Sequence, residues 1–147
     1  MPRRKTPEPP PLREPRQQAR GFERVRAAHQ REVAEDYVEL IADLIDATGE
    51  ARAVDLAERL GVTNATINTT LNRLIREGLV TREPYRSIFL TEEGRTLAEH
   101  SRERHAIVRD FLLRLGVDAE TAETDAEGIE HHISARTLDA LRRFMGG

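Results

Sequence analysis

Apolar side chains recur in this chain mostly three and four residues apart, the period of helices that bury one face. The first such stretch carries Val33, Tyr37, Leu40, Ile41 and Leu44. It predicts a helix starting between Gln17 and Phe22, running to about Ala47 and ended by Gly49, a residue suited to a helix C-terminus. Glu32, Glu35, Asp36, Glu39 and Asp43 line the neighbouring face, which reads most simply as solvated. Ala53 to Leu60 predicts a short helix with Val54, Leu56, Ala57 and Leu60 as its apolar positions. Gly61-Val62 then turns the chain, and the Thr63 hydroxyl can cap a further helix by accepting from its free backbone amides. That helix runs to about Glu77, stops at Gly78, and turns Ile67, Leu71, Leu74 and Ile75 inward. Helix, short Gly-containing turn, helix is a helix-turn-helix.

After it the period changes. Leu79–Arg82 and Ser87–Leu90 read as two strands joined by Glu83-Pro84-Tyr85-Arg86. A hairpin directly after a helix-turn-helix is a wing. A long helix follows from Thr91 to Leu115, with Leu97, Ser101, Val108, Phe111, Leu112 and Leu115 on one face and His105 one turn before Val108. Asp118 caps the next helix. Ser134 caps a last one in which Leu138, Leu141, Phe144 and Met145 are expected to be buried. Helices this short bury little core alone, so residues 96–147 are expected to pair with a second copy. The fold class expected is mainly α: a winged helix-turn-helix DNA-binding domain over residues 22–95, then a helical metal-binding and dimerisation domain over 96–147.

Composition adds the remaining segment. Residues 1–16 hold six of the seven prolines, and residues 1–21 read as a disordered, basic, Pro-rich arm. The net charge of −3 hides an asymmetry: residues 1–32 hold nine basic and four acidic side chains, and the acidic excess lies in the remainder. An arm of that charge either touches phosphates or is an inert tail. An acidic body that binds DNA has to place its positive charge locally. The outward face of the second helix of the helix-turn-helix does so: Ala65, Thr66, Thr69 and Asn72 at its small, polar end, Arg73 and Arg76 at its basic end. Recognition helices read base edges with their first turns and meet phosphates with basic groups. Arg86, at the tip of the wing, is a further expected DNA contact. Cysteine is absent, which excludes disulfides and thiolate-ligated metal. No apolar run approaches a membrane span, and no charged-then-apolar leader is visible. A cytoplasmic protein without a membrane partner is expected.

The chemistry concentrates in Asp125-Ala126-Glu127-Gly128-Ile129-Glu130-His131-His132. On a helix, Glu127, Glu130 and His131 fall at i, i+3 and i+4 and share a face. Two carboxylates and an imidazole are half of a metal site. An acidic helix face that happens to carry a histidine is also common, so the weight comes from two other places: His105, and Asp36 with Glu39 at i, i+3. Three helices offering Asp, Glu, His, Glu, Glu and His make a far more specific constellation than any one of them.

The segments Glu35-Asp36-Tyr37-Val38-Glu39, Arg104-His105 and Asp125 to His132 resemble the manganese transport regulators of the diphtheria-toxin-repressor family over about residues 30–145. That resemblance implies a metal-activated, dimeric repressor of metal-homeostasis genes, such as a manganese importer, acting on a double-stranded operator. It implies a site for two Mn²⁺ per subunit, the matching positions being Asp36, Glu39, His105, Glu127, Glu130 and His131. Three departures stand out. The sequence ends at Gly147, so the small β domain of longer, iron-type relatives is not expected. The N-terminal arm is longer than in the shortest members. The recognition helix reads Asn68-Thr69-Thr70-Leu71-Asn72, poor in the lysine expected of relatives, so the operator need not be theirs. The alternatives are a winged-helix repressor answering another metal (iron or zinc) or a small organic ligand, and a metal-dependent hydrolase. A hydrolase needs a general base and a substrate cleft beside the ligands. Neither is visible, no HExxH occurs, and no small organic substrate is expected.

Overall fold

The computed structural model describes residues 3–83 and 87–146. Its elements in chain order are α1 (Pro15–Thr48), α2 (Ala53–Leu60), α3 (Asn64–Arg76), β1 (Val80–Arg82), β2 (Ile88–Leu90), α4 (Glu92–Arg114), α5 (Ala119–His132) and α6 (Ala135–Gly146). The fold is mainly α, a winged helix-turn-helix followed by a helical half. Arg86 lies outside the described residues.

Local chemistry sets most boundaries. Thr63, Thr91, Asp118 and Ser134 each accept from the backbone amide three residues on, at 3.1, 3.0, 3.0 and 3.2 Å. Gly49 ends α1 in the left-handed region at φ 82°. Gly94 is required for space rather than for backbone freedom: a Cβ there would stand 2.0 Å from the Leu79 carbonyl oxygen. The first turn of α4 therefore sits directly on the chain entering the wing.

Helix α1 begins at Pro15, inside the stretch expected to be unstructured through residue 21. Proline is tolerated in the first helical turn, where its missing N–H is not needed, and nothing that breaks a helix follows it until Gly21.

The hairpin is antiparallel, with Val80 opposite Leu90, Thr81 opposite Phe89 and Arg82 opposite Ile88. The Ile88 amide also donates to the Ala51 carbonyl at 2.8 Å, which ties the wing to the α1–α2 connection. The main core gathers Tyr37, Ile41 and Leu44 of α1 with Leu56, Ile67, Leu71, Leu74, Val80 and Ile88. A second contact joins Val38 and Ala42 of α1 to Ala98 of α4. A third joins α4, α5 and α6 through Val108, Ala126 and Leu138. Helix α1 thus presents different faces to the winged helix and to the helical half.

Four apolar positions depart from expectation. Val54, Ile75, Leu115 and Phe144 are exposed in the single chain, Phe144 to 62%. Val54 and Ile75 flank their helices' buried stripes rather than lie on them. Leu115 and Phe144 lie in the half expected to pair with a second copy, and Phe144 meets the edge of Phe111, centroid to centroid 5.8 Å, and the Arg114 guanidinium, 5.7 Å from its ring centre.

Candidate metal centre and nucleic-acid interface

Helices α1, α4 and α5 meet around a polar cluster. His131 is buried at its centre: Nε2 lies 2.9 Å from Asp36 Oδ1 and 3.4 Å from Glu130 Oε1, and Nδ1 lies 2.6 Å from Glu35 Oε2. Glu35, itself buried, is also paired with Arg104 at 2.8 Å. Burial disfavours charge on His131, but hydrogen bonds to Asp36 and Glu35 outweigh it and push the imidazole up to about 10. Burial also raises Glu35, yet His131 and Arg104 bring its carboxyl below the usual range. Raised this far, the ring favours its protonated form, with Nδ1 facing Glu35 and Nε2 facing Asp36.

Beside it, the Ser101 hydroxyl, fully buried on α4, donates to Glu39 at 3.0 Å and lies 3.5 Å from both oxygens of Glu130. Burial pushes Glu130 up to about 7; Glu39 and Glu127 add to the rise, while His131 and Arg104 oppose it. Glu39 is raised too, by burial first, with Ser101 opposing and Glu127 and Asp43 reinforcing. The cluster carries more negative charge than it can comfortably hold.

His105 completes the arrangement. Its Nε2 lies 2.7 Å from Glu123 Oε1. Its Nδ1 lies 3.4 Å from Glu127 Oε1, buried and without a hydrogen-bond partner. With Nε2–H donating to Glu123, the Nδ1 lone pair faces the carboxylates of Glu127 and Glu130. That is the form in which a histidine ligates, with a carboxylate fixing the tautomer from behind. An orphaned imidazole nitrogen, a buried carboxylate with only long contacts to the Ser101 hydroxyl and the His131 ring, and a donor set of oxygen and nitrogen fit a divalent cation. Two groups of donor atoms lie within ion-binding distance of one another: Glu32 with Asp36 and His131, and His105 with Glu127 and Glu130.

The six positions expected from sequence are thus all in one neighbourhood but not in one group. Asp36 and His131 fall in the first, His105, Glu127 and Glu130 in the second, and Glu39 is turned to Ser101 between them. Sequence reasoning missed Glu35, Ser101 and Glu123 as partners. Glu35 shares a seven-residue stripe along α1 with Ala28, Val38 and Ala42, all four buried, but the acidic side chains on either side of it mask that signal in the sequence.

The nucleic-acid face is plainer. Ala65, Thr66, Thr69, Asn72 and Arg76 are exposed on α3. Arg73 is not freely presented: it is half-buried, 3.6 Å from Glu77 and 3.5 Å from the Gln30 carbonyl of α1. Arg82, which sequence reasoning passed over, is brought from β1 onto α3, donating to Asn68 Oδ1 at 2.8 Å.

The profile described as "Iron dependent repressor, N-terminal DNA binding domain" matches residues 30–88, and that described as "Iron dependent repressor, metal binding and dimerisation domain" matches residues 91–147. The chain belongs to the iron-dependent repressor family. Membership makes it a DNA-binding transcriptional regulator and not a hydrolase. Within the family, a protein named Transcriptional regulator MntR from Escherichia coli O6:H1 is 58% identical over 124 residues, 84% of this chain and 80% of its own length. The protein of the same name from Salmonella typhimurium strain LT2 is 56% identical over 84% of this chain and 79% of its own. A solved structure described as a manganese-dependent transcriptional repressor complex with manganese superimposes with a TM-score of 0.69 at 29% identity. It matches 77% of this chain and 52% of its own, so this chain spans about half the length of that relative.

Proposed function

We propose that the chain is a manganese-responsive repressor that binds a double-stranded operator as a homodimer and controls metal-homeostasis genes, among them a manganese importer. The observation that carries the reading is the position of α1. One face of this helix supplies Tyr37, Ile41 and Leu44 to the core beneath the recognition helix. Another supplies Asp36 and Glu39 to the polar cluster shared with α4 and α5. A change in the cluster is therefore passed to the DNA-binding half through α1, with the first turn of α4 against the wing as a second contact.

Asp36, Glu39, His105, Glu127, Glu130 and His131 would hold the cations, two per subunit. Bound divalent ions supply positive charge that balances four carboxylates and ties their helices together. The residues prepare for this in three ways. Glu123 fixes the His105 tautomer. Glu35 and Arg104 orient the His131 ring. Ser101 donates to Glu39 and lies within 3.5 Å of Glu130, holding the two carboxylates near one another. Before ligating, His131 and Glu130 must release the protons that now stabilise the cluster. The six ligands are oxygen and nitrogen donors only, and four are carboxylates, which suits Mn²⁺. Manganese binds more weakly than zinc at almost any such site, so selection rests on which ion satisfies all six ligands; zinc is content with four.

Ala65, Thr66, Thr69 and Asn72 would read base edges. Arg76, with Arg82 beside α3, Arg73 and Arg86, would meet phosphates. The test is duplex binding followed by fluorescence anisotropy with Mn²⁺ and then with chelator. Tight binding is expected only with metal; tight operator binding that survives chelation would refute the reading.

A further inference from the structure

Among the polar positions of α3, Asn68 stands apart because its side chain is tied to another element. It is exposed, one turn after Ala65 and one turn before Asn72 on the helix surface. Its Oδ1 accepts from Arg82 Nη1 at 2.8 Å, across 14 residues of chain, and among the described residues nothing accepts from its NH2 group. Resting on the reading of α3 as the helix that meets base edges, we propose that Arg82 is a positioning residue for base selection. It holds the Asn68 carbonyl toward the wing, so that Asn68 meets DNA as a donor and selects guanine.

Three observations carry this. The first is donor chemistry. A guanidinium offers only N–H donors and no acceptor, so the half of the Asn68 amide that faces Arg82 has to be the oxygen. The second is anchorage. Arg82 closes β1 opposite Ile88. The Ile88 amide donates to the Ala51 carbonyl at 2.8 Å, and the Ser87 hydroxyl donates to Glu50 at 2.6 Å. The hairpin that carries Arg82 is therefore fixed to the α1–α2 connection, and the guanidinium reaches α3 from a held base. The third is groove chemistry. A free asparagine reads adenine with both halves of its amide, accepting from N6 and donating to N7. With its carbonyl turned to β1, Asn68 keeps only the donating half for a base. That half suits guanine, whose N7 and O6 acceptors lie side by side, better than the single O4 of thymine. A guanidinium has five N–H groups, so the one given to Asn68 leaves others for a phosphate.

The competing description is a hydrogen bond between two exposed side chains that dissolves on the duplex, each then meeting a phosphate of its own. It predicts losses that are additive and equal on every sequence. The two descriptions separate on base preference, measured by selecting duplexes from a random pool with the full chain and Mn²⁺. Fluorescence anisotropy on duplexes changed one base pair at a time then gives the ratios. The wild type is compared with Arg82→Ala, Arg82→Lys, Asn68→Ala and the double variant Asn68→Ala/Arg82→Ala. Both positions are exposed, so each variant is expected to fold, which thermal unfolding checks. The proposal expects one guanine position per half-site at which Arg82→Ala lowers the preference for guanine over adenine about 5- to 10-fold. Arg82→Lys, which still donates, should keep that preference. Asn68→Ala should lose it, and adding Arg82→Ala should then change base preference no further. Unchanged base preference in Arg82→Ala, or an equal loss on every duplex in Asn68→Ala, overturns the proposal. Wild-type selection that survives chelation overturns the manganese-repressor reading instead, and leaves the guanine assignment standing.

Discussion

The two halves of the molecule solve the burial problem in opposite ways. Beneath the recognition helix, Leu56, Ile67, Leu71, Leu74 and Ile88 are all fully buried, and the large side chains closed away there are apolar. Where α1 meets α4 and α5, the buried set includes Glu35, Ser101, His105, Glu130 and His131, while Leu115, Ile129 and Phe144 stand exposed nearby. The first half owes its shape to the hydrophobic effect and needs nothing further. The second, besides a small apolar core, closes charge inside and leaves large apolar side chains outside, an arrangement that would gain stability from cations for the carboxylates and a second chain for the apolar face. The difference locates regulation. The rigid half is what DNA meets, and the under-satisfied half decides how two rigid halves are held.

The largest effect expected from breaking this contrast is in the apolar core. Leu71→Ala should cost about 2–5 kcal/mol, read by denaturant unfolding, with much the same loss with or without manganese. Leu at Glu130 should do the reverse. Replacing a carboxylate that burial pushes up to about 7 with an apolar side chain should leave metal-free stability unchanged or raised, while abolishing activation by metal. If Glu130→Leu unfolds the metal-free chain, the cluster is a structural ion-pair network rather than a poised site.

Next in size is the support behind His131. Glu35→Gln removes the carboxylate at Nδ1 and should weaken manganese binding about 10- to 100-fold, measured by calorimetry, without changing affinity for DNA once metal is saturating. A comparable effect is expected from pH. His131 is raised from 6.5 to about 10 and Glu130 from 4.5 to about 7. The raised histidine stabilises the metal-free fold fully below pH 6.5, and that contribution is lost as pH rises through about 10. The raised carboxyl becomes a penalty as pH rises from 4.5 through about 7. Both groups must lose protons to ligate, so manganese affinity should climb as pH rises from 6 to 8. Proton uptake on binding, or no dependence on pH, would contradict the assignment of His131 as a ligand.

How much of this was written in the sequence depends on which half is considered. Gly61 between two apolar-patterned helices, and the caps Thr63, Asp118 and Ser134, announced the elements because each depends on neighbours in the chain. Helical spacing fixes the shared faces within α1 and within α5, while the joining of those faces with His105 across three helices was what the family resemblance implied. The partners were not legible in that way. Glu35 looked like one more residue of a solvated acidic face, and only its contacts with Arg104 and His131, 69 and 96 residues away, make it internal. Phe144 has the spacing of a core residue, and one chain alone does not cover it. Arg73 was read as facing outward, yet its guanidinium turns to Glu77 and the Gln30 carbonyl.

That last correction gives the smallest effect. Arg76→Ala, at an exposed position, should lower the salt slope of DNA binding by about 0.9, and Arg73→Ala by less. Thr66→Ala or Thr69→Ala should instead alter base preference at unchanged slope. The reverse order for the arginines, read from binding across a salt series, would place the phosphates on the Arg73 side of α3.

The central claim is that the polar cluster and the DNA face are two ends of one equilibrium. Linkage makes the claim reciprocal: whatever factor manganese adds to DNA affinity, DNA must add to manganese affinity. The direct measurement is the Mn²⁺ dissociation constant with and without saturating operator, selected beforehand from random duplexes in the presence of manganese. A tighter constant with operator, by the factor seen in the converse titration, is the predicted result. Identical constants would mean that the cluster binds metal without speaking to the DNA-binding half, and would contradict the account.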